Sequence, residues 1–359
     1  MYRGLEERQN IAALILIDFK KAFDYVDHHV AVADLISMGC RASIMPFVIS
    51  FLTGRQHRVR YLDALSDYAD ITCGVPQGTK AGGVVFLALV NSLCMELEHR
   101  AKYVDDLSLA HIISILNDIN FAPLQDNLNN LEDQCQKKNM EPNPVKSAAM
   151  YSMPPKRPIT LPDLHLNGVP IPVVDECKLL GVHLNSGLNW KTHVDKMLKK
   201  ANKTIFILIR AKKFQFSLPS LVMLYEWYIR TALEYAAPVW HPGLTEQQHE
   251  KLERIQRRSL QIILGREYGG WRERGGRYVR ALQRLQMSSL RERREALTLR
   301  LGRQMLRSPD HRGLLPPLNV QRHGRNLRNN HLLQGVRCRT ARYANTFIPY
   351  VVKLLNQNV

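Results

Sequence analysis

Residues 11–17, Ile-Ala-Ala-Leu-Ile-Leu-Ile, run apolar without alternation, the pattern of a short strand covered on both faces. The run stops at Asp18. Over 30–52 the apolar spacing turns helical, with Val30, Ala33, Leu35 and Ile36, then Ile44, Phe47, Val48, Phe51 and Leu52, punctuated by Gly39 and Pro46. Arg55 to Tyr61 alternates basic with other residues, as an exposed strand does. A glycine-rich loop, Gly74 to Gly83, leads into an apolar helix predicted from Val84 to Leu97. Ala101-Tyr103-Val104 and Leu107-Leu109-Ala110 then flank Asp105 and Asp106, which predicts a tight β-hairpin carrying two acids at its turn. Leu124, Leu128, Leu131 and Cys135 form one helical stripe, stopped near Pro142. Ala148 to Tyr151 reads as a short strand. Four prolines between Met153 and Pro162 make a semi-rigid connector, and Asn167-Gly168 marks a second hairpin.

From Trp190 onward the pattern is helical. Trp190, Val194, Met197, Leu198, Ala201, Ile205, Leu208 and Ile209 share one face, with five lysines off it. A second helix is predicted from Pro219 to Ala237. A third opens on the capping box Thr245-Glu246-Gln247-Gln248 and ends before Gly265. Beyond about residue 300 the chain is Arg-rich and acid-poor, and an irregular basic tail is expected. These readings divide the chain into 1–185, 186–300 and 301–359.

Charge sharpens that division. Residues 1–182 hold 17 Lys/Arg against 21 Asp/Glu, whereas 183–359 hold 33 against 11. An acidic half beside a strongly basic one suits a protein that holds cations in one part and grips phosphates with the other. Solvated basic helix faces are the plainer explanation of the same bias. No apolar run is long enough for a membrane span, and the N-terminal residues show no secretory pattern, so no membrane partner and an intracellular site, nuclear or cytoplasmic, are expected. The six cysteines contain no Cys-x-x-Cys pair, which fits free thiols.

Candidate chemistry centres on three carboxylates. Neighbouring acids repel, and a carboxylate at the end of a buried strand is costly unless it binds a cation or accepts hydrogen bonds. Asp18, Asp105 and Asp106 supply the hard oxygen donors that Mg²⁺ takes. An ordinary Asp-rich turn is the competing reading for the Asp105-Asp106 pair taken alone. His28 and His29 are adjacent and face different ways, so a helix start or a surface role outweighs metal binding.

Three stretches in this order, Asp18-Phe19-Lys20-Lys21-Ala22-Phe23-Asp24, Gly74-Val75-Pro76-Gln77-Gly78-Thr79 and Tyr103-Val104-Asp105-Asp106, resemble the motifs of a reverse transcriptase, most of all those of non-LTR retrotransposons. The resemblance implies an α+β fold: a right-hand polymerase palm of antiparallel sheet with helices, followed by an α-helical thumb, with fingers largely absent. It implies an RNA-directed DNA polymerase using Mg²⁺ or Mn²⁺, deoxynucleotides, an RNA template and a DNA primer. Asp18, Asp105 and Asp106 would bind metal. Phe23 would lie beneath the nucleotide sugar and exclude a 2′-hydroxyl, while Gln77, beside Gly78, would contact the incoming nucleotide. Lys146 matches a lysine able to protonate the departing pyrophosphate. The segment around Leu180 and Gly181 resembles a primer grip. Arg254, Arg257, Arg258, Arg272 and Arg274 are the expected phosphate contacts along an A-form duplex.

Two departures from the family pattern matter. Ala81-Gly82-Gly83 stands where the family has a bulky apolar residue, Gly and Pro, which predicts a looser loop. Asp18 also lies near the start of the sequence, without the fingers region that precedes it in the family, so a truncated open reading frame is expected. The alternative expectation is therefore a catalytically inactive remnant that only binds nucleic acid.

Overall fold

The apolar run of the sequence becomes β1 (Asn10–Ile17), and strands hydrogen-bond to it on both sides. That central place explains why every residue of β1 except Leu16 is buried. The computed structural model describes residues 1–6, 10–97, 99–115, 119–153, 159–270, 276–319 and 330–358. Two compact units make up the chain, one of Met1 and Arg3–Asp175, the other of Tyr2 and Glu176–Val359.

In the first unit β1 is followed by α1 (His28–Ser37) and α2 (Met45–Leu52). The basic stretch that follows folds into short pairs, β2 (Arg55–His57) with β5 (Ala69–Ile71) and β3 (Arg60–Tyr61) with β4 (Ala64–Leu65). Next come α3 (Lys80–Asn91), β6 (Arg100–Tyr103), β7 (Asp106–Ser114), α4 (Ala122–Lys137) and β8 (Ala148–Ser152). The hairpin of β9 (His165–Leu166) and β10 (Val169–Pro170) closes the unit, with Asn167 and Gly168 both at positive φ as its tight turn requires.

The main sheet runs β6-β7-β1-β8, antiparallel throughout. Leu124, Leu128, Leu131 and Cys135 of α4 and Val85, Phe86 and Leu89 of α3 join Ile11, Ile15 and Ile17 in one core. Burying each such large side chain contributes about 1.5–3 kcal/mol, and the sum holds the strand ends in place.

Helix α3 departs from the sequence expectation at both ends. It starts at Lys80 because the Thr79 hydroxyl accepts from the Gly82 N–H at 3.1 Å, and Gly82–Gly83 form its first turn. It ends at Asn91, and the chain then turns through Cys94 at φ +50, whose N–H donates to Gln134 Oε1.

The second unit opens with the hairpin β11 (Glu176–Leu179) and β12 (Val182–Asn185), turned by Leu180 and Gly181 at positive φ. Then follow α5 (Lys191–Lys213), α6 (Leu218–Leu224), a π-helical segment Tyr225–Arg230, α7 (Thr231–Glu234), α8 (Ala237–Trp240) and α9 (Glu246–Leu264). The predicted second helix is thus interrupted by a π-turn, and Ala236 at φ +51 redirects the chain into α8. The Thr245 capping box is present as expected, with Gly265 at φ +57 after α9.

Beyond it lie α10 (Arg266–Gly270), α11 (Arg277–Arg284), α12 (Leu290–Arg307), α13 (Pro309–Arg312), α14 (Ala341–Ala344) and α15 (Phe347–Gln357). The expected irregular tail therefore contains helices. Val351, Val352 and Leu355 of α15 pack with Met305 of α12 and with Leu315 and Leu333 in a core of their own. No helix among the described residues is long and apolar enough to cross a membrane.

Candidate active site

The end of β1 carries Asp18, and the register of the sheet brings the other acids to it. Ile17 pairs with Leu107 on β7, so Asp18 and Asp106 follow on neighbouring strands, one step beyond the last pair. Tyr103 pairs with Asp106, leaving Val104-Asp105 as a two-residue turn. The hairpin is thus as predicted, except that Asp106 is the first residue of β7 and not part of the turn. Val104 sits at φ +58, a region a β-branched residue rarely enters, at a cost of about 1–3 kcal/mol. The core beneath the turn supports it: Leu107 and Leu109 are buried immediately after.

Three carboxylates from two segments thus share one end of the sheet. Their proximity registers in Asp106, whose carboxyl is held above the usual carboxylate range, first by partial desolvation and then by Asp105 and Asp18. Asp105 and Asp106 are exposed, and Asp18 keeps about a third of its side-chain surface open. Among the described residues, no three His, Cys, Asp or Glu side chains are gathered closely enough to cage a metal as they stand. The donor set still fits a hard divalent cation: oxygens only, clustered by register, with mutual repulsion that a cation would relieve.

Lys146 lies beside Asp18, its Nζ 3.9 Å from Asp18 Oδ2 and largely exposed. The loop carrying it contributes more than the sequence suggested. The Asn143 amide Nδ2 donates to Asp18 Oδ2 at 3.4 Å, and its backbone N–H donates to the Asp18 carbonyl at 2.7 Å. The buried Ser147 hydroxyl accepts the Asp18 N–H at 3.2 Å and donates to the Asn143 carbonyl. Asn143 and Ser147 escaped sequence reasoning because their partner is remote in the chain; Asn143-Pro144 signalled only a turn.

Phe23 and Gln77 come from two loops that are stitched together. The Gly74 N–H donates to the Val26 carbonyl and the Val75 N–H to the Phe23 carbonyl. The buried His28 at the start of α1 places Nε2 2.8 Å from the Gly74 carbonyl, so its role is structural, while His29 is exposed. Gly74 has φ +87, and a Cβ there would stand 2.6 Å from the Asp24 carbonyl oxygen. Across this seam the Gln77 amide donates to Asp24 Oδ1 at 3.0 Å. Phe23 is half-buried and stacks on Phe86 of α3, with ring centroids 4.2 Å apart. Gly78, at φ +80, has nothing among the described residues within 4 Å of where a Cβ would be.

The remaining candidates lie in the second unit. Leu180 and Gly181 form the tip of the β11–β12 hairpin, where Tyr235 OH donates to the Leu180 carbonyl at 2.8 Å. Arg254 and Arg257 on α9 both pair with Glu250, and Arg257 also covers the Tyr278 ring. Arg258 is exposed. Arg272 and Arg274 lie outside the described residues.

A family model described as Reverse transcriptase (RNA-dependent DNA polymerase) matches residues 3–184. The chain is 24% identical over 265 residues to the "Probable RNA-directed DNA polymerase from transposon X-element" of Drosophila melanogaster, covering 71% of this chain and 28% of that one. It is 24% identical over 271 residues to the "RNA-directed DNA polymerase from mobile element jockey" of Drosophila funebris, covering 72% and 29%. It thus spans less than a third of the length of these relatives. Among solved structures, the telomerase of Candida albicans, in complex with a fragment of telomeric RNA, aligns over 78% of this chain and 51% of its own at 11% identity and a TM-score of 0.41. The match over residues 3–184, with Asp18, Asp105 and Asp106 inside it, establishes that the chain belongs to the reverse transcriptase family, as a distant homologue of the enzymes of non-LTR retrotransposons.

Proposed function

We propose that this chain is an RNA-directed DNA polymerase that extends a DNA primer on an RNA template, with the first unit as its palm and the helices of the second as its thumb. The observation that carries this reading is the convergence of Asp18, Asp105 and Asp106 at one end of the sheet. These carboxylates would hold one or two Mg²⁺ ions, or Mn²⁺, which when bound lower the pKa of a primer 3′-hydroxyl and neutralise charge on the leaving pyrophosphate.

The protein's own groups do the positioning. Asn143 and Ser147 fix the backbone and carboxylate of Asp18. The Phe23 ring, backed by Phe86, forms a rigid floor under the nucleotide sugar, and a 2′-hydroxyl would collide with it. Gln77, held by Asp24, presents its amide to the incoming nucleotide. Lys146, beside Asp18 and open to solvent, donates a proton to the departing pyrophosphate. The Leu180-Gly181 hairpin steadies the primer end. In the second unit 34 Lys/Arg stand against 12 Asp/Glu, a surplus suited to duplex phosphates, with Arg258, Arg254 and Arg257 of α9 among the contacts.

A second reading, a nucleic-acid binder without turnover, is favoured by Ala81-Gly82-Gly83, the departure from the family's loop. Primer extension on an RNA template, in Mg²⁺ and in Mn²⁺, separates the two. Wild type is expected to extend, and Asp105→Ala to lose extension while keeping its affinity for template–primer. Extension by neither protein, with binding intact, selects the second reading. Loss of binding together with extension would sink the role given to Asp105.

A further inference from the structure

A cavity of about 630 Å³ opens in the second unit, and its lining combines two chemistries. Lys178 of β11 and Lys200 of α5 make one wall cationic, with Lys196 beside them paired to Glu176 at 3.4 Å. Trp227 and Tyr228 make another aromatic, and both rings are more than half exposed. The π-helical segment brings this about. It buries Tyr225 and Ile229 in the core and turns Trp227 and Tyr228, which lie between them, outward, a use of π-turns that recurs at functional sites. Tyr235, bonded to the hairpin tip, also lines it; a Cβ at Gly181 would stand 2.9 Å from its ring.

One residue of the lining is locked in place. His193 lines the cavity and is nine-tenths buried or more. Its Nδ1 accepts the backbone N–H of His183 at 3.3 Å, so in the neutral ring Nε2 carries the proton. That buried Nε2 has no hydrogen-bond partner among the described residues, and the ring lies against Trp190 and Trp240.

We infer that this cavity receives an unpaired nucleotide of a single strand, its base stacked on Trp227 and its phosphates at Lys178 and Lys200. The alternatives use only part of the lining. An acidic peptide would satisfy the lysines and leave the indole without a partner. A duplex would satisfy the lysines too, but its bases are already stacked on one another and cannot lie on an exposed ring. The cavity's volume falls in the ordinary range of ligand sites, about 300–1,000 Å³. The inference goes beyond the polymerase reading, since it needs nucleic-acid binding but no turnover.

Equilibrium binding tests it on the full chain, by anisotropy of a labelled uridine octamer, a thymidine octamer and a blunt duplex. Trp227→Ala should weaken octamer binding about 10-fold or more, as removal of one stacked base does, and leave the duplex within about twofold. Trp227→Phe should recover most of that affinity, which a fold defect would not allow. Changing Lys178 and Lys200 to Ala should lower the salt slope for the octamers by about 0.7 for each phosphate no longer neutralised. A weakening confined to the RNA or the DNA octamer supports the site and names its strand. Unchanged octamer binding in Trp227→Ala, or an equal weakening for octamer and duplex, overturns it. Because no step needs extension, failure here is distinct from failure of the polymerase reading.

Discussion

Asp106 shows why the site is costly to the protein that carries it. Its carboxyl is raised in the folded chain, so the stability tied to it is present while the proton is on and is lost as pH rises through the raised value. At neutral pH, without a cation, the ionised Asp106 therefore works against folding. Asp106→Asn removes that charge and keeps the shape. Its thermal midpoint at pH 7 in chelator should equal or slightly exceed wild type, by no more than about 1 kcal/mol given the exposure of the group. Its primer extension should fall about 100-fold or more. A lower midpoint, read by differential scanning fluorimetry, would mean that the carboxylate anchors structure instead. Val104 points the same way: its left-handed φ stores strain in the turn that presents Asp105.

At the scale of elements, the start of α3 separates two glycines that look alike in sequence. A Cβ on Gly82 would lie 2.4 Å from the Pro76 carbonyl and 2.9 Å from Thr79 Oγ1, whereas one on Gly83 meets nothing within 4 Å among the described residues. Gly82→Ala should therefore cost about 1–3 kcal/mol by forcing the loop away. Gly83→Ala should gain about 0.5–1 kcal/mol of helix propensity. Urea denaturation distinguishes them, and similar midpoints for the two variants would refute this account of the loop. The departure Ala81-Gly82-Gly83 thus tightens at its middle residue where the sequence suggested only loosening. Elements whose signal is local were legible: the apolar β1, the Leu124-Leu128-Leu131 stripe, the Asn-Gly turn and the Thr245 box. Helix α15 was hidden by its Arg-rich surroundings, although Phe347, Val351 and Val352 keep helical spacing. The π-turn leaves no periodic trace in so short a segment. Gln77–Asp24 and Asn143–Asp18 are pairings between distant segments, and only the fold reveals them.

At the scale of the whole molecule, three buried histidines give the second unit's stability a pH-dependent part, and a built-in probe can read it. All four tryptophans, Trp190, Trp227, Trp240 and Trp271, fall within the stretch Glu176–Val359, so tryptophan emission follows that unit. His193, His241 and His249 are buried there and held neutral, pushed down to about 4, about 3 and about 4. Burial is the largest cause for all three; His183 adds to it at His193, and Arg294 at the other two. Arg294 is itself fully buried, within hydrogen-bond reach of both rings and 3.9 Å from Glu253. Depressed histidines contribute stability that is present above their unfolded pKa, about 6.5, and lost as pH falls toward the folded values. Each histidine so held should cost about 1.4 kcal/mol per pH unit over that window. Tryptophan-detected urea midpoints should therefore be level between about pH 8 and 7 and fall steeply from about 6.5 to 4.5. The unit's surplus of basic residues adds repulsion of the same sign, but salt screens that part over about 8 Å at 0.15 M and hardly touches desolvation. Repeating the series in about 0.5 M salt should keep most of the slope. A slope that vanishes in salt would assign the acid sensitivity to surface charge, and a flat profile would mean that these rings charge without leaving the core.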